Sequence, residues 1–185
     1  MPRRRGGAGL VSAALSFLRK ANRRNRPGRL PPQQRDHLFR GEIRQGTHPR
    51  VVGYHYRPGG RDFPDRRIDP ASIIRPTPNG PYKAKPQILD RSVNPPVWRS
   101  KSGFGGYSTF FPDHWTPAQV DAAVPDAFAR SSAVPPPYPG GPDPGLWRGS
   151  HRGVTIEGWY QRDQNGNILT DAAGNRLLGN GWPVL

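Results

Sequence analysis

The chain has 185 residues, no cysteine, and 28 Lys and Arg against 13 Asp and Glu, a formal charge of +15. The missing cysteines exclude a disulfide framework and thiolate metal sites, and 33% hydrophobic residues with 23 Gly and 24 Pro favour one loop-rich domain over a large apolar core. A charge this large calls for an anionic partner; nucleic acid is the commonest for a basic globular domain, and the bland alternative is a solubilising surface with a basic tail.

The longest apolar segment, Ala8 to Leu18, follows Arg3-Arg4-Arg5 and is followed by Arg19-Lys20. It is about half the length a transmembrane helix requires and lacks a small-residue cleavage site, so it reads as a short basic amphipathic helix. Leu10, Ala14, Phe17, Leu18 and Ala21 share one side at helical spacing. Arg23 to Arg29, with Pro27 and Gly28, reads as a basic linker. The expected organisation is a tail over 1–30 and one domain over 31–185.

Within the domain, Gln33–Phe39 has the pattern of a helix ending near His37. Glu42–Arg44 and Arg50–Tyr56 read as strands joined at Gly46, and Pro58–Pro70 as a charged loop. A turn at Pro76–Gly80 precedes a strand over Tyr82–Leu89. Glycine-rich Ser102–Gly106 leads into a strand over Tyr107–Phe111. Thr116-Pro117 is the clearest helix start, a capping threonine followed by proline at the first helical position. The stripe Val120, Ala123, Val124, Ala127, Phe128 continues it, with Pro125 expected to break it after Val124. Ala133–Pro144 is a proline-rich loop. Val154–Gln161 and Asn167–Thr170 read as strands joined by a turn at Asn165-Gly166. No internal repeat is apparent. Few helices and several hairpins predict an α+β fold on antiparallel sheet.

The chemistry lies in two imidazoles and a lysine. His37 begins His-Leu-Phe-Arg-Gly-Glu, and His55 ends Gly-Tyr-His. Imidazole is the side chain suited to proton transfer near neutral pH, and a lysine can stabilise charge building on a phosphate. Taken singly, His37 reads equally as a helix-end histidine on the C-terminal dipole, and His55 as an outward strand residue. His48, in Gly-Thr-His-Pro, is the rival for the second position. Lys101 is the lysine nearest Ser108-Thr-Phe-Phe-Pro112; Lys83 and Lys85 are alternatives that strand alternation sends to one shared face. His114 and His151 lie in no motif. Metal sites have no support: no His-x-x-x-His or paired-cysteine spacing occurs, and Asp163–Asn167 begins like a calcium loop but lacks its closing Glu.

In this order, His37-Leu-Phe-Arg-Gly-Glu42, Gly53-Tyr-His55, Ser108-Thr-Phe-Phe-Pro112 and the Trp182-Pro183 near the C-terminus resemble an EndoU-type endoribonuclease. The likeness is to the EndoU domains of bacterial polymorphic toxins and runs from about Asp36 to Leu185. Trp115-Thr-Pro-Ala-Gln-Val resembles the helix that follows the Phe-Phe-Pro segment. The resemblance implies antiparallel sheets around a cleft in a ribonuclease-A-like arrangement, with one or two packed helices. It implies metal-independent RNA cleavage without a cofactor, in which the 2′-hydroxyl attacks and a 2′,3′-cyclic phosphate remains. His37, His55 and Lys101 fall on the catalytic positions, base and acid unassigned. Relatives end in Thr/Ser-x-Tyr-Pro, where the hydroxyl contacts the base and the tyrosine packs on it. Here Asn180-Gly-Trp182-Pro183 stands in that place, so Asn180 and Trp182, with Ser108, become the expected substrate contacts. Tryptophan stacks at least as well as tyrosine, and asparagine can read a base edge; the usual uridine preference need not carry over. Trp182 also reads simply as a core or edge aromatic. The toxin likeness further implies RNA as target, tRNA among the candidates. It implies an acidic immunity protein as partner, and a secreted or delivered effector acting in the target-cell cytoplasm. The basic start fits the tip of a longer toxin and a stand-alone cassette equally. The alternative is a non-catalytic basic RNA-binding protein on the same fold.

Overall fold

A computed structural model describes residues 29–185. The expected amphipathic helix and linker of the first 28 residues lie outside that range.

The described residues form an α+β fold, with two α-helices and antiparallel sheets. Helix α1 (Pro32–Phe39) leads into a hairpin of β1 (Glu42–Arg44) and β2 (Arg50–Val52). A second sheet has the order β3 (Arg66–Ile74), β4 (Tyr82–Asp90), β5 (Val97–Ser100), and β6 (Ser108–Phe110) also pairs with β4. Helix α2 (Pro117–Ala129) packs on a third sheet, ordered β10 (Trp182–Pro183), β9 (Val154–Trp159), β8 (Leu146–His151), β7 (Ser132–Ala133). Two apolar clusters hold these layers. The larger joins Leu38 and Phe39 of α1, Val120, Ala123, Val124 and Ala127 of α2, and Trp147 and Ile156 of the third sheet. The smaller joins Tyr54, Ile68, Tyr82, Ala84 and Phe110 beneath the second sheet. Among the described residues, no helix is long and apolar enough to cross a membrane.

Several expectations are corrected. The last five residues of the supposed loop, Arg66 to Pro70, together with the four after them, are the nine-residue edge strand β3. Its register with β4 shifts between Asp69 and Ile74, so Pro70, which has no N–H to give, falls where the ladder is interrupted. There the Ser72 hydroxyl accepts the Lys85 N–H at 2.8 Å in place of a backbone carbonyl. Strands β5 and β8 were not anticipated. The strand expected over Arg50–Tyr56 stops at Val52, because Gly53 and Tyr54 turn to positive φ (74° and 60°). The expected break in α2 does not occur: Pro125 sits inside a helix that runs to Ala129, because the fully buried Val124 and Ala127 on either side anchor it to the core. The cap is as expected, with Thr116 and Gln119 exchanging side-chain bonds to each other's backbone N–H.

Asn167–Thr170 forms isolated bridges, not a strand, and the segment is in fact repetitive. Asp163-Gln-Asn-Gly-Asn167 and Asp171-Ala-Ala-Gly-Asn175 form the same turn eight residues apart. In each, the aspartate carboxylate accepts the N–H groups two and four residues on.

Candidate active site

Two glycines explain why the His-x-Phe-x-Gly-Glu and Gly-x-His segments come together. At Gly53, φ is +74° and a Cβ would meet the His37 carbonyl oxygen at 2.1 Å; at Gly41, φ is +61° and a Cβ would meet the Val52 carbonyl at 2.6 Å. Only glycine at both positions lets the end of α1 lie directly against the chain after β2. The N–H of Tyr54 then donates to the His37 carbonyl (3.0 Å) and that of His55 to the Leu38 carbonyl (2.7 Å). These bonds satisfy carbonyls that a helix end leaves open and carry the two histidines together. Their ring centroids are 6.2 Å apart.

The Ser-Thr-Phe-Phe-Pro segment locks His55 from the other side. The Phe111 N–H donates to the His55 carbonyl (2.8 Å), and His55 Nδ1 lies 2.8 Å from the Thr109 carbonyl oxygen. A carbonyl only accepts, so Nδ1 carries the proton, and in the neutral ring Nε2 is left with its lone pair. His55 is buried, and burial holds its pKa well below the usual 6.5, with the Lys101 and His37 charges acting in the same direction. Burial also lowers the pKa of His37, opposed by the Glu42 carboxylate, whose Oε1 lies 3.9 Å from His37 Nδ1.

Lys101 reaches the site through the topology of β4. Strand β5 pairs with Gln87–Asp90 and β6 with Tyr82–Ala84, both along the same edge of β4. The excursion between them, with a 3-10 turn at Phe104–Gly106, absorbs the seven-residue spacing and puts Lys101 beside Ser108. Lys101 Nζ donates to Ser108 Oγ (2.9 Å), which in turn donates to the Gly53 carbonyl (3.2 Å). Burial brings the lysine pKa down to about 8. Ser108, only 2% exposed, thus holds the lysine against the backbone of the Gly-Tyr-His turn. Lys83 and Lys85 do share one face, both over the Tyr107 ring at 5.2 and 5.3 Å, on the side of the sheet opposite Ser108 and its partner Ala84.

Trp182 completes the cluster. Strand β10 pairs it with Glu157, and its ring stacks on His55 with centroids 6.2 Å apart and planes 24° apart. Trp159 follows at 6.2 Å from Trp182. Asn180 stands outside this group: its side-chain oxygen accepts the Trp159 N–H at 3.1 Å and so fixes the approach to Trp182. His48 is exposed in the turn of the β1–β2 hairpin. Glu42 pairs with Val52 and Arg44 with Arg50, so that turn is the end of the hairpin remote from Gly53. His114 is exposed, and His151 is engaged with Asp126 and Trp115. Sequence reasoning gave no role to Glu42, although it lies inside the quoted motif, nor to the Thr109 and Gly53 carbonyls, which as backbone atoms leave no mark in residue identity.

The site therefore offers a neutral imidazole with a free Nε2, a second imidazole beside a carboxylate, and an ammonium next to both. Among the described residues no group of His, Cys, Asp and Glu is placed to hold a metal ion. The profile of the bacterial EndoU nucleases matches residues 32–172, which takes in both histidines, Lys101 and Ser108 and stops short of Asn180 and Trp182. No curated protein and no solved structure matches the chain. With three quarters of its length under that match and the family's motifs converging on one cluster, the chain belongs to the bacterial EndoU nuclease family.

Proposed function

We propose that this nuclease is a metal-independent endoribonuclease in which His55 is the general base and His37 the general acid. One observation carries the reading: two imidazoles 6.2 Å apart whose surroundings treat them differently. His55 is held neutral by burial, with Nδ1–H fixed on Thr109, so Nε2 is free to take the proton of a ribose 2′-hydroxyl. His37 has the Glu42 carboxylate to favour its charged form and can donate to the departing 5′-oxygen. As the 2′-oxygen bonds to phosphorus, the P–O5′ bond breaks and the 2′,3′-cyclic phosphate is left. Lys101, positioned by Ser108, stabilises the negative charge on the non-bridging oxygens. Trp182 supplies the face on which a base stacks, and Asn180 keeps its side-chain nitrogen for a base edge.

The biological setting follows from the resemblance to polymorphic-toxin domains: a delivered toxin acting on RNA, tRNA among its candidate targets, in the cytoplasm of another cell, and restrained by an acidic immunity protein. The testing experiment is cleavage of a short RNA in excess chelator, alongside the same strand carrying one 2′-deoxy sugar at the mapped cut. Full cleavage of the first and none at the modified position of the second are expected. Activity lost to chelation and restored by one metal ion would refute the mechanism, and a chain that binds RNA but never cuts it would make it a binding protein.

A further inference from the structure

Beside the catalytic cluster, and meeting it only at Lys101, lies an open groove of about 760 Å³ over the second sheet. Arg67, Lys85 and Lys101 line it against a single carboxylate, Asp69, and neither catalytic histidine nor Trp182 does. Each of its cations sits over an aromatic ring: Arg67 over Trp98 at 4.2 Å, Lys85 over Tyr107 at 5.3 Å, Lys101 over Phe104 at 5.8 Å. Phe104 is the telling residue. It is 82% exposed and holds a positive φ of 55°, at the head of the 3-10 turn that borders the groove. A bulky residue at positive φ is strained, and glycine or asparagine would make the same turn with less strain. The fold gains nothing from this ring, which faces water apart from the ammonium of Lys101 above it.

We infer that the groove holds the single-stranded RNA flank next to the scissile phosphate, with Phe104 as a stacking platform for a base and Arg67 and Lys85 as phosphate contacts. The cations line the groove and the rings stand at its margin beneath them; a strand uses the first for its phosphates and the second for its bases, and every base has a face to stack regardless of its identity. Lys101, the one residue the groove shares with the catalytic cluster, favours RNA over a protein partner: its ammonium is held on the Ser108 side of the sheet, and a strand leaving it reaches the Lys85 face past the turn at Phe104–Gly106. The assignment of Lys101 to the scissile phosphate rests on the proposed function; the groove's affinity for RNA does not.

The test uses the whole chain with Phe104→Ala and Lys85→Ala, both exposed side chains, and two readouts. The first is binding of a random-sequence decanucleotide fully 2′-O-methylated, which cannot be cut. Phe104→Ala should weaken it about tenfold, and Lys85→Ala should lower the salt dependence by about 0.7 in slope, one phosphate contact on a single strand. The second is cleavage of a dinucleotide, which is too short to fill the groove and should be cut at the wild-type rate by both variants. Unchanged binding of the decanucleotide overturns the inference, and would leave the groove to an acidic protein. Equal losses on dinucleotide and decanucleotide also overturn it, since the residues would then act at the scissile bond. If the wild type does not cut the dinucleotide, the nuclease mechanism fails while the binding readout still decides the groove.

Discussion

Replacing Lys101 with methionine should stabilise the protein while disabling it. Burial lowers the Lys101 pKa from 10.5 to about 8, and at about 1.36 kcal/mol per pH unit the charged form is disfavoured by roughly 3 kcal/mol. Solvent still reaches part of the side chain, and the ammonium donates to Ser108, so about 1–2 kcal/mol of net gain is expected from a methionine that fills the same space without charge. Ser108 keeps its bond to the Gly53 carbonyl, so no buried hydroxyl is stranded. The pH dependence carries the sign. The folded-state pKa is depressed, so between about pH 8 and 10.5 the unfolded chain binds a proton that the folded chain does not, and wild-type stability rises with pH across that window. The advantage of Lys101→Met should therefore be full at pH 7 and gone near pH 10.5. Urea midpoints at both pH values, with unchanged slope, measure it. Cleavage should fall by about 10²–10³, as when one donor to a transition-state oxyanion is removed. A variant less stable than wild type at pH 7, or a stability gap that ignores pH, would refute the reasoning.

Alanine at His37 or His55 should each lower cleavage by about 10²–10⁴ with folding retained, and His48→Ala should be silent, as its exposed place on the β1–β2 hairpin requires; inactivation by His48→Ala instead would show that the wrong pair was chosen. The profile of kcat/KM against pH should be bell-shaped with its optimum on the acid side of 6.5. The base His55 works only above its strongly lowered pKa, and the acid His37 only below its own lowered one. Glu42→Gln removes the carboxylate that raises the His37 pKa, so the alkaline limb should move to lower pH and the acid limb stay; movement of the acid limb would exchange the two roles. Trp182→Ala should lower kcat/KM about tenfold or more and Trp182→Tyr should largely preserve it, because stacking needs a ring and not an indole. Equal losses in both variants would make the tryptophan a packing residue.

What could be read from the sequence divides along a physical line. The convergence of the candidate site residues was legible because its parts are short local patterns whose glycines are forced by close approach: Gly41 and Gly53 admit no side chain where α1 meets the Gly-Tyr-His turn, so the motif survives as letters. Thr116-Pro117 was legible for the same reason, since a cap is made within four residues. Strand β3 was hidden because it is an edge strand. Its bulge tolerates Asp69 and Pro70, and a serine hydroxyl replaces a ladder carbonyl, so neither alternation nor composition announces it. Pro125 misled because a helix interior is decided by what its neighbours bury, and Val124 and Ala127 are fully buried. The eight-residue repeat escaped because only Asp, Gly and Asn, which make the turn, and one leucine, Leu169 and Leu177, recur.

The proposed assignment of acid and base was beyond the sequence, since it rests on burial and on one backbone carbonyl. His37 and His55 are the same side chain eighteen positions apart. Thr109 lies in strand β6 whereas His37 is helical and His55 irregular, yet its carbonyl decides which nitrogen of His55 holds the proton. That bond exists only because β6 pairs with β4 and not with β5, leaving the edge of β4 split at Lys101. The same split that delivers the lysine to Ser108 delivers Thr109 to His55 from the next residue along β6. The proposed base and the lysine are therefore both held by one strand, and a change that slips β6 by one residue would exchange the buried Ser108 for Thr109 and disconnect both at once.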